Sequence, residues 1–483
     1  MSLESAVQHK IRTYFPSMTV YKYPSQNRFF ASLGIPSYLR DWIIMRFADE
    51  NGRVDIGEIE EFIKKNIPSR RDWELLKSTM IKDSQRVRFL AKLRVELDVR
   101  TGEGLFCLPD FGFPTRKQEA IVSTRVLRQY RDELLSDSET WGVIECEWSP
   151  VGLKGKEGEG VIYLTDFKPF RPYKVDVEFY QTARKEFTIV EWLDVLLLAI
   201  DYNPAGFLDV HQKLTLISRL LPFVERRLNL IELAPKGTGK SYVMSQISKY
   251  GWLVSGGSIT RARLFYDISR RTPGLVSRYD YVALDEVQTI SFPDLDEIRG
   301  ALKGYLESGE YRVGDYRGTG EAGLVLMGNI PEEKMNERIP IFSELPYAFQ
   351  ESALLDRIHG FIKGWNIPRM RENMKAEGWA LNVEYFSEIM HALRNEIVYR
   401  ALVDELLDVP RSADTRDTEA IKRICTGFLK LLFPHVKSVE DVDKEEFQIY
   451  CLEPAMQMRS IIKHQLHLMD SEYKDALPEI KVR

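Results

Sequence analysis

From Arg86 to Arg100 the apolar residues Val87, Phe89, Leu93, Val95, Leu97 and Val99 fall on odd positions, while most even positions are charged. That period of two is the pattern of a half-buried strand. The turn Thr101-Gly102-Glu103-Gly104 reverses it into Leu105-Phe106-Cys107-Leu108, a hairpin. Three further runs, Trp141 to Trp148, Val161 to Phe167 and Tyr173 to Phe179, also read as strands, with the glycine- and lysine-rich loop Gly152 to Gly160 between them. Helical periodicity resumes at Thr188, and Val383 to Leu407 and Ala420 to Leu432 read as helices. The fold class expected is α/β. Residues 1–135 form a mixed α/β region, 136–186 a small β-rich module, 187–375 an α/β core, and 376–483 a helical lid with C-terminal helices. No internal repeat or low-complexity tract interrupts this order.

The bulk numbers refine the picture only slightly. At 483 residues there is chain for about three domains, and a net charge of −5 gives no global attraction to nucleic acid. Any such partner would be held by local patches. Cys107, Cys146, Cys425 and Cys451 are far apart in apolar or mixed surroundings, which suits reduced thiols rather than a disulfide framework or zinc site. The N-terminus lacks the apolar segment of a signal peptide, and the run Val195 to Ile200 is too short to span a bilayer. The expectation is a cytoplasmic protein with no membrane partner.

Chemistry enters at Leu228 to Ser241, where an apolar strand runs into Ala234-Pro235-Lys236-Gly237-Thr238-Gly239-Lys240-Ser241. This resembles the phosphate-binding loop (Walker A) of P-loop NTPases, with Ala234 in place of the usual first glycine. In such a loop Gly237 and Gly239 let backbone N–H groups curl around the phosphates, Lys240 reaches the β and γ oxygens, and Ser241 ligates Mg²⁺. The helix that follows directs its positive end at the same anion. The expected cofactors are ATP and Mg²⁺.

Downstream, Tyr279 to Glu286 is an apolar strand ending in two acids, the form of a Walker B element. Asp285 would hold the metal and Glu286 would act as general base. A helix over Ser291 to Glu307 follows, with Gly309 as its stop, and then a buried-type strand ending at Asn329. This order resembles AAA+ ATPases, in which Asn329 would be the sensor 1 residue and Arg357, in LLDRIHG, the arginine finger that acts on a neighbouring subunit. A finger acting in trans implies a closed ring, most often a hexamer. The plain alternative for Arg357 is a salt bridge with Asp356 or another acid. Arg416, at the start of a lid helix capped by Asp414 or Thr415, resembles sensor 2, and Arg369 competes for that role.

Two segments bear on what such a motor acts on. Tyr311 to Glu321 holds Arg312, Tyr316 and Arg317 in a glycine-rich reversal similar to the pore hairpin of the MCM branch, where it would grip DNA. A surface hairpin with solvated arginines would have the same sequence. On the first strand, Arg86, Arg88, Lys92 and Arg94 share one face, a second candidate for DNA, although the polar face of any half-buried strand is charged. Asp49 to Gly52 departs from a calcium loop at Arg53 and Val54 and reads as a turn, and His464 and His467 lack further metal ligands.

Taken together, APKGTGKS, GGSITRARLFYD, VALDE, GYLESGEYRVGD, VLMGNI, LLDRIHGFIKGWNIPRM, TRDTEAIKRICTGFLKLLFP and QMRSIIKHQL resemble the BrxL family, the Lon-related AAA+ component of BREX antiviral systems. The resemblance runs from about Val20 to the C-terminus and is most specific over 228–433. It implies a DNA-binding, MCM-like AAA+ ring that restricts phage with other BREX proteins, as a homo-hexamer, single or as two stacked rings, on double-stranded DNA. Family members usually continue into a Lon-like domain that this chain has no room for, so proteolysis by this chain is not expected. The competing reading is a Lon-type protein unfoldase serving a separate peptidase. No aromatic-hydrophobic-glycine pore loop between 251 and 280 supports it.

Overall fold

The computed structural model describes residues 5–483 apart from 50, 117, 136–138, 152–156, 171, 174, 270 and 294. The chain divides into two units, one of Phe47–Asp49 and Arg53–Lys174, the other of Met1–Arg46, Glu50–Gly52 and Val175–Arg483.

The smaller unit is built on five strands, β1 (Val87–Leu97), β2 (Gly104–Cys107), β3 (Ala120–Val122), β4 (Thr140–Val151) and β5 (Glu157–Pro169). They close into a barrel in the order β1-β2-β3-β5-β4, with β3 and β5 parallel and the other neighbouring pairs antiparallel. This is the Greek-key order of OB-type barrels. The alternation read in β1 sets its inward face: Val87, Phe89, Leu93 and Val95 are buried with Phe106, Ile144, Leu164 and Phe167. Trp73, which opens α2 (Trp73–Lys82; α1 is Ser37–Phe47), enters the same core, its ring 5.2 Å from Phe111 and 4.9 Å from Phe113. Position 142 must be glycine, because a Cβ there would lie 2.2 Å from the Phe167 ring.

Two sequence expectations change here. The boundary expected at 135/136 is crossed by the barrel, since β4 pairs with β1 from Val87↔Cys146 to Leu93↔Thr140. What read as two regions is one barrel, because its strands are joined by pairings distant in sequence. The strand expected over Tyr173 to Phe179, of which Lys174 lies outside the described residues, gives way to a helix from Val177. Asp176 accepts from the Phe179 N–H (2.9 Å) and caps a helix over Val177–Arg184, burying Tyr180 and Ala183 at helical spacing.

In the larger unit five parallel strands form one sheet: β6 (Leu230–Ala234), β7 (Gly251–Ser258), β8 (Tyr281–Ser291), β11 (Gly323–Asn329) and β12 (Gly360–Lys363). Their order is β12-β6-β11-β8-β7, so the first strand of the set lies inside the sheet with the fourth and fifth on either side. A separate hairpin, β9 (Glu310–Val313) with β10 (Tyr316–Thr319), precedes β11. α3 (Lys240–Gln246) follows β6, and α4 (Leu295–Ser308) follows β8 and ends at Gly309, whose φ of 82° permits the turn into the hairpin. The expected helix over 383–407 is broken into α5 (Val383–Arg394) and a second helix over Val398–Leu406. α6 (Thr415–Leu432) is capped by Asp414, and α7 (Glu453–Met469) packs on β12 and α6. Among the described residues no helix is long and apolar enough to cross a membrane.

Candidate nucleotide site

Parallel strands that end side by side bring their following loops to one edge of the sheet. β6 is buried throughout, and its end at Ala234 is in register with Asn329, the end of β11, while β8 carries Asp285 beyond its last partner on β11, Leu284↔Leu326. The residues that sequence analysis placed in one site therefore converge. Ala234 fits the first position of the loop because its methyl faces the backbone of Gly364, where any Cβ would lie 2.2 Å from it. Gly237 and Gly239 have φ of 82° and 77°, a conformation that favours glycine, and helix α3 starts at Lys240. Pro235 and Thr238 are buried; Lys236 and Gly237 are exposed.

Lys240 Nζ donates to Asn329 Oδ1 (3.2 Å) and lies 3.4 Å from the carbonyls of Ala234 and Pro235. Burial holds its pKa below the usual value, so an anion brought to the loop would meet an ammonium still short of counter-charge. Ser241 Oγ donates to Asp285 Oδ2, and Asp285 Oδ1 accepts from the Glu286 N–H (2.9 Å). A hydroxyl beside a carboxylate is the oxygen-only donor set of a hard divalent cation that completes its shell with water and phosphate. Ser241 and Asp285 would hold such a cation from the protein side; among the described residues no cluster of three or more His, Cys, Asp or Glu is assembled for a metal. Glu286 is exposed and has φ of 48°, strained for a non-glycine residue, at the point where the β8–β7 register shifts. Gln288 Nε2 donates to the Asn329 carbonyl (2.8 Å) and ties the two strand ends together.

Sequence analysis missed what lies beneath the loop. Arg219 is fully buried, donates to both carboxylate oxygens of Glu232 in β6 (3.0 and 2.6 Å), and donates from Nη1 to the Thr238 carbonyl (2.8 Å). Glu232 inside an apolar strand signals that a buried partner exists, but not which residue it is. A second buried cluster joins α1 to α3: Arg40 bonds Asp201 (2.8 Å), Lys22 reaches Asp201 (2.6 Å), and Tyr242 Oη donates to Asp201.

The two candidate arginines lie elsewhere. His359 N–H donates to the Asn229 carbonyl (3.0 Å), so the turn carrying Arg357 sits at the start of β6, whereas the glycine loop leaves its end. Arg357 Nε is 2.6 Å from Glu307 Oε2, the ion pair that its plain reading anticipated. Arg416 joins the same group, bonding Asp356 (2.8 Å) and Glu307 (3.3 Å). Arg369 is exposed beside the loop, with the neighbouring Met370 N–H donating to the Gly237 carbonyl (2.8 Å). The structure thus places Arg369, not Arg416, next to the protomer's own glycine loop.

The β9–β10 hairpin has the two-residue turn Gly314-Asp315 and exposes Arg312, Tyr316 and Arg317. Arg312 Nε donates to the Gly314 carbonyl (2.8 Å). Tyr316 stacks on Tyr266 with ring centroids 3.6 Å apart and planes 7° from parallel, which joins this hairpin to a smaller one, Tyr266–Asp267 with Thr272–Pro273. The second hairpin was not foreseen. On β1 the positive face is mostly compensated. Arg86 pairs with Glu147 (2.6 Å), Lys92 with Glu139 (3.4 Å) and Arg94 with Glu96 (2.6 Å), while Arg88 is exposed. Strand pairing explains part of this, because β4 brings Glu145 and Glu147 alongside Arg86 and Arg88. Outside these groups, the four cysteines are free thiols, Asp49 accepts from the Arg53 N–H in the expected turn, and His464 and His467 bond Asp475 and the Tyr473 carbonyl.

A five-stranded parallel sheet in this order, with a glycine loop after its first strand, an acid pair on the third and a polar residue ending the fourth, defines an AAA+ P-loop core. Residues 162–479 match the family model described as Lon-like protease BrxL-like, ATPase domain, and residues 13–148 match the BREX system Lon protease-like protein BrxL N-terminal model. The chain belongs to the BrxL family and carries its ATPase domain. It is 30% identical over 440 residues to the Lon-like protease BrxL of Escherichia coli O9:H4 (strain HS), covering 89% of this chain and 60% of that protein. Against the Lon-like protease BrxL of Bacillus cereus (strain H3081.97) it is 31% identical over 334 residues, 68% of this chain and 48% of that one. The chain thus spans about half to three-fifths of the length of these relatives.

Proposed function

We propose that this chain hydrolyses ATP with Mg²⁺ at sites completed between neighbouring copies in a homo-hexameric ring, and that the ring binds or encircles double-stranded DNA. In the cell it would act in phage defence with other BREX proteins, in the cytoplasm. The observation that carries the shared site is the placement of Arg357 and Lys240 at opposite ends of β6, a strand whose five residues alone separate them by about 13 Å. An arginine there serves a neighbour's phosphates, not its own protomer's. In that site Lys240 and the loop N–H groups hold the phosphates, and Ser241 and Asp285 hold the cation. Glu286 takes the proton of the attacking water, Asn329 orients that water, and Arg357 with Arg416 from the next copy offsets the developing charge.

For DNA, support comes from the exposed hairpin arginines, of which Arg312 reaches Asp315 only at 3.9 Å, and from the OB-type barrel, a fold that commonly carries oligonucleotides. The test is ATP turnover with and without duplex DNA at several salt concentrations, with Glu286→Gln as the blank. Stimulation that fades with salt is expected. A rate indifferent to DNA that rises with an unfolded protein would replace this reading with the Lon-type unfoldase.

A further inference from the structure

Glu307 is a half-exposed acid in the last turn of α4, three residues before the hairpin strand β9, and its single oxygen Oε2 is shared by Arg357 Nε (2.6 Å) and Arg416 Nη2 (3.3 Å). Resting on the shared-site reading above, we infer that Glu307 is a positioning residue for hydrolysis. It is the resting counter-ion of the Arg357–Arg416 pair, and it yields both arginines to the phosphates of ATP bound on the neighbouring copy.

Among the described residues two acids pair with these arginines, and their surroundings differ; Glu419, in the same groove, is held by Arg400 and Arg423. Asp356 is held from behind: the fully buried Arg459 donates to Asp356 Oδ1 (2.9 Å) and to the carbonyls of Asp356 (3.1 Å) and Ile358 (2.6 Å). Arg459 is itself fixed by Asp417 (2.8 Å). The backbone that carries Arg357 is therefore clamped, and Asp356 stays with Arg416 whatever approaches. Among the described residues Glu307 has no such anchor, being 48% exposed at the rim of an open groove of about 290 Å³ lined by Glu307, Asp356, Arg357, His359, Arg416 and Glu419. Partly solvated ion pairs are weak, and a triphosphate carries more negative charge than one carboxylate. Of the groups around the pair, Glu307 is the one an incoming phosphate displaces. Displacement also removes two ion-pair contacts, one of them a hydrogen bond, from the last turn of α4, which leads through Gly309 into the hairpin, so the neighbour's nucleotide and the hairpin are joined through this side chain.

The experiment compares Glu307→Gln with Arg357→Ala and the wild type in steady-state ATP turnover, with and without duplex DNA. Glutamine keeps the shape but offers no charge to be displaced. Without DNA, Glu307→Gln should lower KM for ATP by about three- to tenfold and reduce the fold-stimulation by DNA, while kcat with DNA stays within about twofold of wild type. A variant with unchanged KM and unchanged stimulation, or one with lower kcat under both conditions, overturns the inference. Failure of the underlying reading has a different signature, since wild-type turnover by Arg357→Ala would remove the shared site altogether. A silent Arg357→Ala beside an unaltered Glu307→Gln would remove only the role of Glu307.

Discussion

Arg219 and Glu232 form a fully buried ion pair, Nη2 to Oε1 2.6 Å, and the same guanidinium holds the Thr238 carbonyl of the glycine loop. A buried pair contributes little net stability, but removing one partner strands the other charge in the interior, at a cost of about 3–5 kcal/mol. Arg219→Met should therefore lower the denaturant midpoint sharply and weaken nucleotide binding, because Thr238 loses its anchor. Replacing Glu232 with Met in the same chain should restore most of the stability without restoring the affinity. Chemical denaturation read beside equilibrium ATP binding separates the two effects.

How far the sequence alone leads is visible around this pair. The convergence of the glycine loop with Asp285, Glu286 and Asn329 was legible because each lies where an apolar run meets polar residues, a pattern confined to a few consecutive positions. Arg219 was not, since its partner lies in a strand and its target in a loop, and nothing in Ser218 to Leu220 sets this arginine apart from others. The barrel was half legible. Alternation in β1 announced a strand, but its pairing with β4, some fifty residues away, is set by closure of the barrel and has no local mark. The same limit made the basic face of β1 look stronger than it is, because the acids that compensate Arg86 come from β4. At Tyr173 to Phe179 an alternating run concealed a helix, the ordinary ambiguity of short apolar segments when a capping aspartate decides the outcome.

If complete sites form between copies, two inactive variants should complement each other. Lys240→Ala removes the lysine of the glycine loop but keeps Arg357, and Arg357→Ala does the reverse, so each alone should be silent. Random one-to-one mixing gives about one interface in four with an intact loop facing an intact arginine. Turnover should reappear in the mixture at a comparable fraction of wild type. A mixture as inactive as its components would place both residues in one protomer's site.

The hairpin and the strand β1 offered two candidate DNA surfaces, and their ion pairing ranks them. Arg317 is exposed on β10, and Arg312 reaches an acid only at 3.9 Å, whereas Arg86 and Arg94 each have one at 2.6 Å. Arg312→Ala with Arg317→Ala should weaken duplex binding regardless of its sequence and flatten the dependence of log K on log salt by about one unit per lost phosphate contact. The triple change of Arg86, Lys92 and Arg94 to Gln should alter the slope much less. Fluorescence anisotropy across a salt series distinguishes the two surfaces.

Lys249 sits between two acids of α5, 2.6 Å from Glu384 and 2.5 Å from Glu388, with Tyr250 Oη donating to Glu388 (2.9 Å). Burial, with the nearby charge of Glu388, pushes Glu384 up from the usual 4.5 to about 7, against the pull of Lys249. Burial also acts to raise Glu388, but Lys249 and the Tyr250 hydroxyl outweigh it and hold that carboxyl below its usual value. The sign follows from proton counts. Between about 4.5 and 7 the folded chain keeps the Glu384 proton that the unfolded chain has lost, so the stability tied to this group declines as pH rises through that window. Glu388 acts in the opposite sense, contributing stability above the usual carboxylate range and losing it in acid. The melting temperature should therefore fall between pH 5 and pH 8 in wild type. In Glu384→Gln, which is neutral at every pH, that fall should largely disappear and the variant should be the more stable chain at pH 8. A wild-type melting curve that is flat over this range, or one unaffected by the substitution, would mean that Glu384 is ionised throughout in the folded chain.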